Sequence, residues 1–255
     1  MKYSEINFDI LKNINKKEKY LIIPIGTIEV HGPNLPFATD VYISEAFSYK
    51  LEKKINSIVM PSIYYSYSGT TSDIDGTISI DISLVSDYIY SLVENLIKLN
   101  FEKIIIINIH KGNDLVIKLV LTRVFEEYGV PVLYINPYLN FSRFDKDIFS
   151  TGSNSYKETS ILLASLKILK KKGLVGEIRL PGRVEYQKQN FIKRLLAIGY
   201  VRYGYINEMQ HITPVENASV EEGLRYINKV VEEIASNITY LQEYINFLKK
   251  EKKDD

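Results

Sequence analysis

The chain contains no cysteine, and only three of its 255 residues are histidines. Without cysteine it has no disulfide, no thiolate nucleophile and no thiolate-bound zinc or iron–sulfur centre. Histidine is the side chain that most readily exchanges protons near neutral pH, and it is the commonest ligand of transition metals. His31, His110 and His211 are therefore the strongest candidates for a chemical role.

An excess of charge of one sign is also lacking, because 32 basic side chains face 31 acidic ones. Such a balance provides no global field to attract nucleic acid or an anionic membrane. No apolar stretch approaches the roughly 20 residues of a membrane-spanning helix. The N-terminal segment has no apolar run followed by a small-residue cleavage site, as a secretory signal would. We therefore expect a cytoplasmic protein that binds neither nucleic acid nor membrane.

Short apolar segments alternate with longer segments of helical spacing along the chain. The apolar segments are 21–26, 57–65, 103–109 and 131–138, and they have the composition of buried strands. Helices are predicted over 44–55, 83–100, 113–129, 157–173 and 219–250. This alternation is typical of an α/β fold with a mainly parallel sheet covered on both faces. We predict one domain over 1–255, with a short disordered charged tail near 250–255.

Two of the histidines follow predicted strands, His31 after 21–26 and His110 after 103–109. Because parallel strands end at the same edge of a sheet, both imidazoles are expected at that edge. Glu29 and Asp40 flank His31 in a segment whose glycine and prolines favour a loop. Imidazole and carboxylate ligands together favour zinc, manganese or iron over calcium. Asp40 would bridge two metal ions, as carboxylates do where ions lie roughly 3.5–4 Å apart.

Each histidine alone also has a simple structural interpretation, as a hydrogen-bonded loop residue. The combination favours a metal site, because complementary ligand types at two strand ends meet less often by chance.

PIGTIEVHGPNLPFATD, residues 24–40, resembles the opening motif of the creatininase family. Weaker similarities follow in order, at GTISI (76–80), NIHKGN (108–113), ETS (158–160) and the segment 214–234. The resemblance runs across residues 21–234. It implies a three-layer α/β/α sandwich with a mainly parallel central sheet. It also implies a homo-oligomer, often a hexamer, and metal-dependent hydrolysis of a carbon–nitrogen bond in small amides.

The resemblance assigns the metal ligands to Glu29, His31, Asp40 and His110. In creatininase a further glutamate ligand lies two residues after the second histidine, where this chain has Gly112. Glu158, in ETS, is the candidate to replace that ligand, although a helix N-terminus also favours a glutamate for its charge. The implied cofactor is a divalent metal, zinc, manganese or iron, with two ions per chain.

Several family positions that handle protons are changed. Ser153 and Asn34 replace two family histidines, and the segment 70–77 lacks a third. Serine cannot deliver a proton to a leaving nitrogen near neutral pH. The remaining candidates for that role are Tyr156, His211, Asp73 and Asp75. His211 has the alternative interpretation of a surface or capping residue, and Tyr156 that of one packing tyrosine among 20.

The sequence thus predicts a metal-dependent amidohydrolase that cleaves a carbon–nitrogen bond of a small cyclic amide or formamide by means of a metal-bound hydroxide. Creatinine is not the expected substrate, because residues that would bind and protonate it are missing. A formylaminopyrimidine nucleotide is an alternative substrate, whose phosphate would bind the basic segment 179–211. That segment is otherwise interpreted as solvated surface or a subunit contact. The competing hypothesis is an inactive family member that serves as a binding or assembly protein.

Overall fold

The computed structural model describes residues 1–140, 156–171, 174, 190–204 and 217–254. Its strands are β1 (Tyr20–Ile25), β2 (Ser57–Val59), β3 (Lys103–Asn108) and β4 (Leu133–Ile135). They form a sheet in the order β2–β1–β3–β4, and every pairing between these described strands is parallel. The predicted parallel sheet is confirmed, although β2 and β4 are shorter than their apolar segments.

The described helices follow the strands along the chain. They are α1 (Phe8–Asn13), α2 (Thr39–Glu52), α3 (Ile82–Lys98), α4 (Asp114–Tyr128), α5 (Pro137–Asn140), α6 (Tyr156–Ile168), α7 (Asn190–Ile198), α8 (Val220–Asn237) and α9 (Thr239–Asp254). Two short 3-10 helices span Tyr3–Glu5 and Lys111–Asn113. None of the helices described is long and apolar enough to cross a membrane.

Every residue of β1 and β3 is buried, because helices cover both faces of the sheet. Ile22 and Ile105 point to the face covered by α2, α6, α8 and α9. Their neighbours Leu21 and Ile104 point to the other face, where α3 and α4 pack. Side chains of a strand alternate between faces, so continuous isoleucine runs supply both cores at once. The α/β/α architecture predicted from the sequence is thereby confirmed.

Local signals explain where several helices begin and end. Asp81 precedes α3 and accepts hydrogen bonds from the main-chain N–H groups of Ser83 at 2.8 Å and Leu84 at 3.2 Å. Gly129 ends α4 with a φ of 62°, in the left-handed region that favours glycine. The predicted helices at these places are close to the observed ones.

Three boundaries differ from the predictions. The helix predicted over 44–55 begins at Thr39, because turns of the preceding loop lead directly into it, and Asp40 therefore lies in its first turn. The helix predicted over 219–250 is two helices, which meet at Ile238. The last helix extends to Asp254, into the charged stretch where a disordered end was predicted. Lysine and glutamate are good helix formers, so charge alone does not end a helix.

Close packing of α8 against α6 provides a test of the fold. A Cβ atom at Gly223 would overlap the carbonyl oxygen of Ser160, which belongs to main chain and cannot rotate away. Alanine in a helix is normally favoured over glycine by about 1 kcal/mol, but overpacking costs about 1–3 kcal/mol. We expect Gly223→Ala to lower the free energy of unfolding, measured by denaturant titration. Gly199→Ala is the control, because no atom lies within 4 Å of a Cβ there. Equal stability of both variants would contradict the described packing.

Candidate metal centre

Five side chains predicted as ligands are buried at the carboxyl edge of the sheet. Glu29 and His31 lie in the loop after β1, and His110 directly follows β3. Asp40 and Glu158 lie in the first turns of α2 and α6. The strand register pairs Ile25 with Asn108, so the segments that follow β1 and β3 leave the sheet side by side.

The loop after β1 is held by glycine and by the GTISI segment. A Cβ at Gly26 would overlap main-chain atoms of Asp40 and Val41, so glycine allows the start of α2 to approach the end of β1. Ile28 and Ile78 form an antiparallel bridge, with Ile78 N–H donating to the Ile28 carbonyl at 2.9 Å. These contacts fix the main chain of the loop, and thereby the directions of the Glu29 and His31 side chains.

Asp40 lies between the two histidines. Its Oδ1 is 3.4 Å from His31 Nε2, and its Oδ2 is 3.1 Å from His110 Nδ1. The same His110 nitrogen is 3.0 Å from Glu29 Oε1. Ligand atoms of Glu29, His31 and Asp40 all lie within 4.8 Å of one another. The two oxygens of one carboxylate thus face imidazoles from different strand ends.

Main-chain carbonyls determine which nitrogen of each imidazole faces the carboxylates. His31 Nδ1 lies 3.1 Å from the carbonyl oxygen of Glu29, and His110 Nε2 lies 3.0 Å from that of Tyr67. A carbonyl oxygen can only accept, so these nitrogens carry the protons. His31 Nε2 and His110 Nδ1 then have either a second proton or a lone pair available to a metal ion.

Opposite charges counteract burial throughout the cluster. Burial alone would lower the pKa of His31, but the charge and hydrogen bond of Asp40, with the charges of Glu158 and Glu29, raise it to about 10. Burial also opposes the charge of His110, yet Glu29 and Asp40 raise its pKa well above the usual range. Burial would raise the pKa of Glu29, but the charge and hydrogen bond of His110 lower it to about 2. His31 and His110 likewise lower the pKa of Asp40 against burial.

The donor set fits divalent metal ions. Asp40 Oδ2 is buried and, within the part of the chain that the structure describes, accepts no hydrogen bond of acceptable geometry, although His110 Nδ1 is 3.1 Å away. A buried carboxylate oxygen without a hydrogen bond is stabilised by a positive charge, which a protonated His110 or a bound metal ion would supply. If two ions bind, as the family resemblance implies, Asp40 would be shared between the ligands Glu29 and His110 and the ligand His31. The charge of Glu158 contributes to raising the pKa of His31, so this buried carboxylate lies in the neighbourhood of that imidazole.

Gly112 stands where the family resemblance leads one to expect a glutamate ligand. A Cβ at this position would overlap Nε2 of His110, the nitrogen that faces the Tyr67 carbonyl. With the imidazole in this position, no larger side chain fits at 112. A larger residue at 112 would require this imidazole to move, and Glu158 remains the carboxylate predicted to replace a ligand there.

A polar network behind His110 was not anticipated from the sequence. Asn108 donates to the carbonyl of His110 at 2.7 Å and to the Tyr134 hydroxyl at 3.0 Å. Asn113 donates to Asn108 Oδ1 at 3.2 Å, and Tyr134 donates to Asp114. The asparagines belong to the NIHKGN motif, but their partner from β4 is distant in sequence. Only the sheet order places Tyr134 beside them.

The candidate proton donors fall partly outside the described residues. Tyr156 begins α6, but its side chain lies outside the described residues, as do His211 and Ser153. Asp73 and Asp75 are exposed. Of the basic segment 179–211, the structure describes 190–204, in which Arg202 donates to the Gly69 carbonyl at 3.2 Å and Arg194 is exposed.

The charge arrangement predicts an unusual titration of His31 in protein stripped of metal by a chelator. Because its folded pKa of about 10 lies above the ordinary 6.5, its stabilising effect is full below pH 6.5 and is lost as pH rises towards 10. Glu29 acts oppositely, since its contribution to stability is present above about pH 4.5 and is lost as pH falls towards 2. Histidine NMR is expected to show no titration of His31 near 6.5, and Asp40→Asn is expected to lower its pKa. An ordinary titration in the wild type would contradict this geometry.

Comparison with protein families gives one match over most of the chain. Residues 4–238 match the family model Creatininase, described as creatinine amidohydrolase. The match includes every residue of the cluster described above.

Curated relatives match over shorter stretches. The 3-dehydro-scyllo-inosose hydrolase of Thermotoga maritima is 28% identical over 145 residues, which are 55% of this chain and 46% of that protein. The 2-amino-5-formylamino-6-ribosylaminopyrimidin-4(3H)-one 5'-monophosphate deformylase of Methanococcus maripaludis is 38% identical over 100 residues, 37% of this chain and 42% of the relative. The chain thus spans less than half the length of these two relatives.

Among solved structures, a mutant creatininase of the Zn-Zn type superposes with a TM-score of 0.70. The two chains are 19% identical, and the match covers 93% of this chain and 96% of the other. At this level of identity the similarity establishes the fold.

Proposed function

This chain belongs to the creatininase family, and on that premise we propose that it is a metal-dependent hydrolase that cleaves a carbon–nitrogen bond of a small cyclic amide or formamide. The observation that carries the proposal is the position of Asp40, whose two oxygens face His31 and His110 within 3.4 Å and 3.1 Å. A second carboxylate, Glu29, also faces His110 at 3.0 Å, so acidic and imidazole side chains converge on one buried place. Buried ligands from separate strand ends are typical of a site built for ions.

The proposed ligand set divides into two groups that share Asp40. In this proposal Glu29 and His110 hold one ion, and His31 with Glu158 holds the other. Divalent ions held there would polarise a substrate carbonyl and lower the pKa of bound water. The main-chain carbonyls of Glu29 and Tyr67 keep each imidazole oriented towards the ions. Tyr156 and His211 remain the proposed sources of the proton for the leaving nitrogen. Zinc, manganese or iron suits these ligands.

The choice of a formamide as one substrate class is supported by a relative. The Methanococcus protein is named as a deformylase of a 5'-monophosphate, and it is 38% identical over the matched 100 residues. A formylated pyrimidine nucleotide is therefore the specific candidate, with basic side chains of the segment 179–211 as the proposed phosphate contacts. Arg194 and Arg202, the described arginines of that segment, are both exposed to solvent. We do not expect creatinine to be hydrolysed.

Metal content and hydrolysis test this proposal together. Chain purified with added zinc or manganese is expected to hold about two ions, by elemental analysis. It should hydrolyse members of a panel of formamides and cyclic amides. His31→Ala removes a ligand, so its loss of activity should exceed the roughly 10- to 100-fold typical of outer-shell changes. Lys118→Ala, on the exposed side of α4, is the control. Metal-free protein whose properties a chelator does not change would contradict the proposal and favour the inactive binding or assembly role.

We also propose that the chain forms a homo-oligomer, such as the hexamer that the family resemblance implies. Support comes from apolar side chains exposed at the N-terminal ends of α3 and α4, where Leu84 is 64%, Leu115 65% and Leu119 60% exposed. Residues four apart share one face of a helix, so Leu115 and Leu119 form a stripe. Exposed patches of this kind often mark protein–protein contacts.

Sedimentation velocity tests the assembly. The wild type is expected to sediment as an oligomer, and Leu119→Glu is expected to shift it towards smaller species, because it places a charge in the apolar stripe. Asn246→Glu, exposed on α9, introduces the same side chain elsewhere and should leave the oligomer intact. A monomeric wild type would contradict the proposal.

A further inference from the structure

Thr71 is a buried hydroxyl directed at a proposed metal ligand. Its side chain is 1% exposed, and Oγ1 donates to Glu29 Oε2 at 2.7 Å. A second acceptor, the carbonyl of Ser68, lies farther away at 3.3 Å. A hydroxyl has one proton, and the shorter contact to a carboxylate is the stronger one. We propose that Thr71 is a positioning residue that orients Glu29 for ion binding, an inference that rests on the proposed metal-dependent function.

The two oxygens of Glu29 have different partners. Oε1 lies 3.0 Å from His110 Nδ1, and Oε2 receives the Thr71 hydrogen bond. The terminal torsion of a glutamate is broad and imposes little orientation by itself. The hydroxyl therefore selects the rotation that presents Oε1 to the ion position shared with His110. Thr71 lies in the segment 70–77, in which the family resemblance led us to expect a histidine.

The loop that carries Thr71, residues 66–71 and here called the wall, also orients the second ligand of the same proposed ion position. Tyr67, four residues earlier, places its carbonyl 3.0 Å from His110 Nε2. The wall is held independently of Thr71, since Ser66 Oγ donates to the Gly26 carbonyl at 2.7 Å and Ser68 N–H donates to Ser79 Oγ at 2.9 Å. Loss of the Thr71 hydroxyl alone should therefore leave the main chain in place and act on Glu29.

The other ion position is supported differently. His31 is oriented by the main-chain carbonyl of Glu29, which a change of the Glu29 side-chain rotation need not move. Asp40 faces His31 through Oδ1, whereas its other oxygen, Oδ2, faces His110. Removal of the Thr71 hydroxyl should thus lower the affinity for the two ions unequally, with the larger loss for the ion held by Glu29 and His110.

Zinc titration of the full chain against a competing chelator tests this inference without measuring activity. Valine is nearly isosteric with threonine but has no hydrogen-bond donor. Thr71→Val is therefore expected to lower the affinity for one of the two zinc ions by about 10- to 100-fold. Thr71→Ser retains the hydroxyl and should bind within a few-fold of the wild type. The matched control is Thr27→Val, which removes a buried hydroxyl that contacts Ser68 rather than a ligand, and it should bind zinc as the wild type does.

Unfolding midpoints of the zinc-free variants separate positioning from stability. Thr71→Val and Thr27→Val each lose one buried hydrogen bond, so similar midpoints are expected. If Thr71→Val does not fold, Thr71→Ala supplies the comparison with Thr71→Ser, because these two variants differ only by the hydroxyl.

Each other outcome is decisive. Unchanged zinc binding by Thr71→Val overturns the role of Thr71 while the proposed function stands. Equal weakening in Thr27→Val overturns it too, because the effect would then be a general loosening of the wall. Wild-type protein that binds no zinc, manganese or iron overturns the proposed function, and this inference with it.

Discussion

The attraction between Asp40 and two histidines is the interaction on which the centre depends. Charged groups are costly to bury, and these three side chains are all buried. They are tolerated because opposite charges lie within 3.4 Å and 3.1 Å of the two Asp40 oxygens. Such a cluster requires the first turn of α2 to pack against the end of β1. The absence of a side chain at Gly26 allows this close approach. The sheet and its first crossover helix are thereby tied to one carboxylate.

Uncharged groups determine the direction of the charged ones. Main-chain carbonyls at Glu29 and Tyr67 select the nitrogen that each imidazole presents, and the Thr71 hydroxyl selects the oxygen that Glu29 presents. Neutral donors and acceptors can do this in a buried site because their hydrogen bonds are directional and no water competes. The result is a preorganised set of lone pairs at one edge of the sheet, which is what a metal-dependent hydrolase of this family would require.

The family resemblance identified the side chains that meet but not how they meet. Glu29, His31 and Asp40 share one motif, and His110 was placed beside them because parallel strands end at a common edge. The resemblance also suggested Glu158 as the replacement for the glutamate ligand that is missing at position 112, where this chain has glycine. At that position the His110 ring occupies space that a side chain would need, so the glycine is compatible with the observed imidazole.

Periodicity and composition alone determined the class of fold. Isoleucine-rich runs can be buried on both faces only in a sheet covered by helices on each side, so β1 and β3 were predictable from local pattern. The short motif likewise determined which residues are suited to bind metal. Only the tertiary structure decided which atoms face one another, as when Thr71 reaches Glu29 and Tyr134 reaches Asn108. Such contacts join residues far apart in sequence, and their geometry depends on strand order and helix packing, which no local pattern encodes.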